Sequence, residues 1–288
     1  MNKKTDFIIE DTEGYELIDS GEGEKLERFG DFVLRRPDPQ ALWSKNLETE
    51  WENADASFET NEKGGKWQTK DVPEKWTAKI GDVTFELSRS TFKHVGVFPE
   101  QAPNWNWISD KIKKADRPIK VLNLFGYTGG ATIAASLAGS EVVHVDGSKT
   151  AITQANKNAE LSGADSNPIR WIPEDARKFV EREIKRGSKY DAIIMDPPAF
   201  GHGAKGERWI IEKDLVSLIA LTKKILTPDP LFYILNGYAA GYSSIGYAQM
   251  IDWLIEKHDG EIEHGELLFK EKDRDRFLPA GITARWSK

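Results

Sequence analysis

Val121-Leu122-Asn123-Leu124-Phe125-Gly126-Tyr127-Thr128-Gly129-Gly130 decides the fold of this chain. An apolar run ends in glycines, which is how a buried parallel strand reads when the loop after it lets the backbone approach a ligand. A second stretch, Asp191-Ala192-Ile193-Ile194-Met195-Asp196-Pro197-Pro198-Ala199-Phe200, repeats the form and ends in a carboxylate, two prolines and an aromatic ring. Together they suggest a nucleotide-like cofactor beside a site for a flat substrate.

Around these two stretches, from about residue 118, apolar strands alternate with helical segments, the pattern of an α/β, doubly wound, mostly parallel sheet of Rossmann-like type. Strands are expected at 119–125, 141–146, 168–173, 190–195 and 231–236, with later ones near 261–269 and 281–286. Helices fit at 130–138, 148–162, 175–187, 212–226 and 243–258. Residues 1–90 carry short alternating runs such as Phe32-Val33-Leu34-Arg35 and Thr84-Phe85-Glu86-Leu87, and read as a smaller, mostly β N-terminal domain. Residues 91–117, with Phe98, Trp105 and Trp107, read as a bridging or lid segment, and 118–288 as the main domain.

In such a sheet the ligand lies beyond the carboxyl ends of the strands. Gly126, Gly129 and Gly130 are placed for that approach, and the helix after them offers free amides to an anionic group. Tight turns alone would also explain these glycines. Asp146, about twenty residues on, ends the second strand where a carboxylate can accept from both ribose hydroxyls. Asp175 follows the third strand, placed either to cap the next helix or to accept from an adenine amine, and the two roles are compatible. Ser148 also stands at an N-cap position. These features fit NAD as well as S-adenosylmethionine.

After the fourth strand, two prolines hold the backbone extended and leave carbonyls to which an amine can donate. Asp196 with a Pro197 carbonyl can orient an amine lone pair, and Phe200 offers a face for a base. Gly201 to Gly206 reads as a flexible loop able to close over substrate, with His202 either a general base or simply exposed.

The 288 residues carry 40 basic and 47 acidic side chains, a net charge of −7, so any nucleic-acid contact relies on local basic clusters. Two such clusters are Lys111, Lys113, Lys114, Arg117 and Lys120, and Arg177, Arg182, Lys185 and Arg186, which are equally the solvated faces of helices. With 0 cysteines the sequence offers no disulfide, thiolate metal site or cysteine nucleophile, and no metal is expected. No stretch reads as a signal peptide or membrane span, so a soluble cytoplasmic protein is expected, its oligomeric state undetermined.

At these motifs the chain resembles the class I S-adenosylmethionine-dependent methyltransferases, and within them the large-subunit ribosomal RNA methyltransferases of the I and K types. The matching pieces are Leu122–Gly130, Val145-Asp146-Gly147-Ser148 with Asn156 and Asn158, Glu174-Asp175-Ala176, and Asp196–Phe200. The resemblance implies S-adenosylmethionine held by Phe125, Gly126, Tyr127, Thr128, Gly129, Asp146, Ser148, Asp175 and Ala176. It further implies that Asp196, Pro197 and Phe200 face the methyl acceptor, which would be RNA. The segment from Phe92 to Gln101 looks like the family's stretch ahead of the first helix, which implies that Phe98 and Gln101 border the cofactor. The family's next residue is arginine, where this chain has Ala102.

Methylation at carbon 5 of cytosine requires a thiolate at carbon 6, which this sequence lacks, so a nitrogen acceptor is expected. Two other readings stay open: a nicotinamide-dependent oxidoreductase sharing the glycine loop and Asp146, and a non-catalytic S-adenosylmethionine-binding module.

Overall fold

In a computed structural model, the central strand β1 (Lys120–Leu124) pairs in parallel with β2 (Glu141–Asp146) on one side and β4 (Ala192–Met195) on the other. β3 (Ile169–Pro173) lies outside β2, and β5 (Phe232–Gly237) extends the parallel set beyond β4. β7 (Phe277–Ser287) runs antiparallel to β5, and β6 (Glu261–Lys270) follows it, giving the order 3-2-1-4-5-7-6. The structure describes all residues except 1, 10–11, 62–63, 91–92, 165–167, 203–205 and 239–240.

Helices α1 (Ala102–Lys114), α2 (Gly130–Leu137), α3 (Lys149–Leu161), α4 (Ala176–Arg186), α5 (Ile211–Thr222) and α6 (Ser244–Leu254) supply the crossovers and cover the sheet. Strand side chains alternate between two apolar layers. Leu122, Leu124, Ile193 and Met195 join Phe179, Leu218 and Ile251 in one layer, and Val121, Ala192 and Ile194 join Ile108, Ile112 and Phe232 in the other. A sheet buried on both faces is what continuous apolar strands require. The expected doubly wound, mostly parallel architecture is therefore present, with element bounds within a few residues of the sequence reading.

The chain divides into two units. One comprises Met1–Phe7, Asn104–Leu267 and Gly281–Lys288, and the other Ile8–Pro103 with Leu268–Ala280. The division runs between Pro103 and Asn104, inside the segment read as a bridge. In the first unit, Asn2–Lys4 adds a parallel edge strand against Ile262–His264.

The second unit is β-rich. Its main sheet runs in sequence order through Tyr15–Gly21, Glu24–Phe29, Phe32–Pro37, Ala56–Asn61 and Gly64–Thr69, with a separate hairpin of Lys75–Ile80 and Val83–Ser88. Leu17, Leu26, Phe29, Leu34 and Phe85 form its buried interior. Glu27 is buried there, accepting from the Arg36 guanidinium at 2.5 Å and the Tyr15 hydroxyl at 2.8 Å. A buried charge persists only when paired and hydrogen-bonded in this way.

Candidate active site

The strand order reverses between β1 and β4, and the crevice at their carboxyl ends is where a doubly wound sheet binds its ligand. Leu124 and Met195 are the last paired residues of the two strands. The glycine loop that begins at Phe125 and the carboxylate of Asp196 thus leave neighbouring strand tips, and Asp196 N donates to Leu124 O at 3.4 Å.

The glycine loop is wound more tightly than its glycines alone require. Phe125 and Tyr127 both take left-handed backbone conformations, φ 59° and 49°, which cost an L-residue roughly 1–2 kcal/mol each. The surroundings hold them there. Tyr127 N donates to Asp146 Oδ2 at 2.9 Å, Asn158 Nδ2 donates to Thr128 O at 2.9 Å, and Gly129 N donates to Gly126 O at 3.0 Å. A Cβ on Gly126 would run into the imidazole of His144, which is fully buried beneath the loop, so only glycine fits. His144 Nδ1 lies 2.9 Å from the Thr132 hydroxyl, itself 2.9 Å from Asn123 Nδ2. Burial drives the imidazole down to a pKa of about 3, so it is neutral at physiological pH.

Asp146 holds this loop. Its Oδ1 accepts from Ser148 N at 2.7 Å and its Oδ2 from Tyr127 N. Burial raises its carboxyl above the usual range, while these two amides act in the opposite sense. Each oxygen keeps a further lone pair for a ligand hydroxyl. Ser148 caps α3 through Ala151 N at 3.2 Å, and Asp175 caps α4 through Lys178 N at 2.9 Å, so the capping role open to each from the sequence is filled. Ala176 is the buried first residue of α4, and Glu174 N reaches back to Asp146 O at 3.0 Å.

After β4, Pro197 is buried and Phe200 is 78 % exposed, its ring free to be stacked upon. One expectation needs correction. The Pro198 carbonyl has an internal partner, because the indole nitrogen of Trp209 donates to it at 2.7 Å. The stretch read as a flexible loop also differs from expectation: Phe200–His202 pairs antiparallel with Arg208–Ile210. Residues 203–205 of that expected loop lie outside the described residues, and Gly206 takes a left-handed φ of 84°. Trp209, 8 % exposed, also packs its ring on Phe125 with centroids 5.0 Å apart. Sequence reading passed over Trp209, although Arg208-Trp209-Ile210 carries the alternation of a short strand.

Phe98 and Gln101 belong to the β-rich unit. There Phe98 lies against His94 with ring centroids 5.2 Å apart, and Gln101 N donates to Phe98 O at 3.1 Å in the turn Pro99–Gln101. Phe92 is outside the described residues.

The basic clusters are partly neutralised. Arg117 pairs with Asp191, Lys120 with Glu141, Arg177 with Glu181, Arg182 with Glu174 and Arg186 with Glu183. Among the described residues no group of three or more His, Asp or Glu side chains could hold a metal ion, and no helix is long and apolar enough to cross a membrane.

Gly129 is the N-cap of α2 and supplies no side-chain cap, an arrangement in which the first amides can receive an anion. Asp146 ends β2 paired with Pro173, the last residue of β3, and Asp175 follows two residues later.

Residues 58–244 match the model of the S-adenosylmethionine-dependent methyltransferase family. A crystal structure of an S-adenosylmethionine-dependent methyltransferase from Agrobacterium tumefaciens superposes with a TM-score of 0.95 at 39 % identity, over 99 % of this chain and 95 % of that one. The ribosomal RNA large subunit methyltransferase I of Aeromonas salmonicida is 42 % identical over 106 residues, 36 % of this chain and 26 % of the relative. Methyltransferase K/L of the ribosomal large subunit from Shewanella loihica is 31 % identical over 146 residues, 50 % of this chain and 20 % of the relative. The similarity to these two curated relatives thus spans about a quarter and a fifth of their lengths.

Proposed function

The chain belongs to the S-adenosylmethionine-dependent methyltransferases, and on that premise we propose that it methylates a nitrogen of a nucleobase in RNA, with ribosomal RNA as the substrate class. Membership sets aside the nicotinamide-dependent oxidoreductase. The observation that carries the proposal is the adjacency of the glycine loop and Asp196 at the tips of β1 and β4, with Phe200 exposed four residues further on.

When bound, S-adenosylmethionine supplies an electrophilic methyl on a good leaving group. The loop amides and the uncapped start of α2 receive its carboxylate, Asp146 its ribose hydroxyls, and Asp175 its adenine amine. Asp196 and the Pro197 carbonyl accept the N–H groups of the acceptor and turn its lone pair toward the methyl. Phe200 stacks the base, and Asp196 takes the proton that the nitrogen sheds after transfer. Positioning of this kind lowers the barrier without an activated protein nucleophile.

The choice of nitrogen follows from chemistry, since carbon 5 of a pyrimidine needs a thiolate and the sequence has 0 cysteines. The choice of ribosomal RNA follows the relatives' names. Transfer of tritiated methyl from S-adenosylmethionine onto RNA fractions and small-molecule extracts, followed by nucleoside analysis, tests both. Label in an N-methylated nucleoside of ribosomal RNA is expected. Label in 5-methylcytosine, or only in small molecules, would overturn the assignment.

A further inference from the structure

Tyr247 sits on α6 with its side chain fully buried, yet its hydroxyl has no hydrogen-bond partner among the described residues. An unsatisfied buried hydroxyl costs roughly 1–3 kcal/mol, which a phenylalanine at the same place would avoid. The location of the hydroxyl suggests what it is for. It touches the Cα of Gly237 so closely that any Cβ there would overlap it, and Gly237 is the last residue of β5. β5 pairs in parallel with β4, their last paired residues being Leu235 and Met195. Asp196 is the next residue after Met195, so the phenol and the carboxylate meet at the same end of the same two strands. Burial, then Tyr242 and then Asp196, push the phenol up to about 12, so it keeps its proton and can donate.

We propose that Tyr247 is a positioning residue of the transfer site, its hydroxyl donating to the Asp196 carboxylate when a cationic or amine nitrogen is held in front of it. The inference rests on the reading of Asp196 as the group that grips the acceptor. A donor behind the carboxylate fixes its rotamer and keeps it ionised, so that both effects favour a bound N–H. Tyr242 lies beside the phenol, its ring centroid 6.0 Å from that of Tyr247. The arrangement gives α6 a part in the site through a single hydroxyl.

Sinefungin tests this without knowledge of the natural acceptor, because it carries a primary ammonium where S-adenosylmethionine carries its methyl. S-adenosylhomocysteine, lacking both, is the control. In Tyr247→Phe, calorimetry should show sinefungin binding weakened by about 5-fold or more, with S-adenosylhomocysteine affinity within about 2-fold of wild type and the melting temperature equal or higher. Equal sinefungin affinity in Tyr247→Phe and wild type would overturn the proposal. If the wild type bound neither ligand, the reading of the site itself would fall. A double-mutant cycle with Asp196→Asn removes any general effect on folding. Tyr247→Phe should then add nothing further to the loss of sinefungin affinity, and independent, additive losses would also overturn the proposal.

Discussion

The indole nitrogen of Trp209 donates to the carbonyl oxygen of Pro198 at 2.7 Å, while the same ring packs against Phe125 at a tilt of 56°. One side chain thereby ties the loop after β4 to the loop after β1. The two loops are those proposed to hold acceptor and donor, so this indole is placed to set the separation of the reacting atoms.

Trp209→Phe should keep the ring contact and lose the hydrogen bond. A stability loss of about 1 kcal/mol is expected in urea unfolding, with S-adenosylmethionine affinity nearly unchanged and kcat reduced several-fold. Equal kcat in wild type and variant would show that the tie does not set the reacting geometry. Trp209→Ala, which empties a buried site, should cost about 3–5 kcal/mol.

Much of this was legible in the sequence, and the reasons differ by residue. The strands are runs buried on both faces, so their apolar content announces them, as in Ile193-Ile194-Met195. Ser148 and Asp175 are legible because capping is local chemistry. Trp209 was hidden by the glycines before it, which read as a flexible loop, although the segment is pinned by cross-strand pairing. Tyr247 looks like any core residue of a helix, and only the approach of Gly237 gives it away. The edge strand Asn2–Lys4 is exposed at every position, so no apolar period marks it, and its partner lies at the far end of the chain.

Asp146→Ala should weaken S-adenosylmethionine binding by about 10-fold or more in calorimetry, since a carboxylate hydrogen bond contributes about 1.5–3 kcal/mol. The variant also strips the acceptor from Tyr127 N and Ser148 N, so its melting temperature should fall. Unchanged affinity would refute the ribose assignment.

Asp196→Ala should leave S-adenosylmethionine affinity within about 2-fold of wild type while abolishing methyl transfer, because the carboxylate acts on the acceptor and not on the cofactor. A parallel loss of cofactor binding would move Asp196 into the cofactor site.

His144 makes stability depend on pH. Its folded-state pKa of about 3 lies below the ordinary 6.5, so between those values the unfolded chain binds a proton that the folded chain refuses. The neutral ring's full contribution is therefore present above pH 6.5 and is lost as pH falls toward 3. In His144→Gln the slope of unfolding free energy against pH should flatten across that window, by up to about 5 kcal/mol in total. Identical slopes in wild type and variant would mean that the imidazole charges freely.

A crystal structure with S-adenosylmethionine bound measures the central claim directly. The adenosine is expected between Asp146 and Asp175, the carboxylate at the start of α2, and the sulfonium methyl directed at Asp196. Density for the donor elsewhere, or in the crevice with its methyl turned away from the tip of β4, would contradict it.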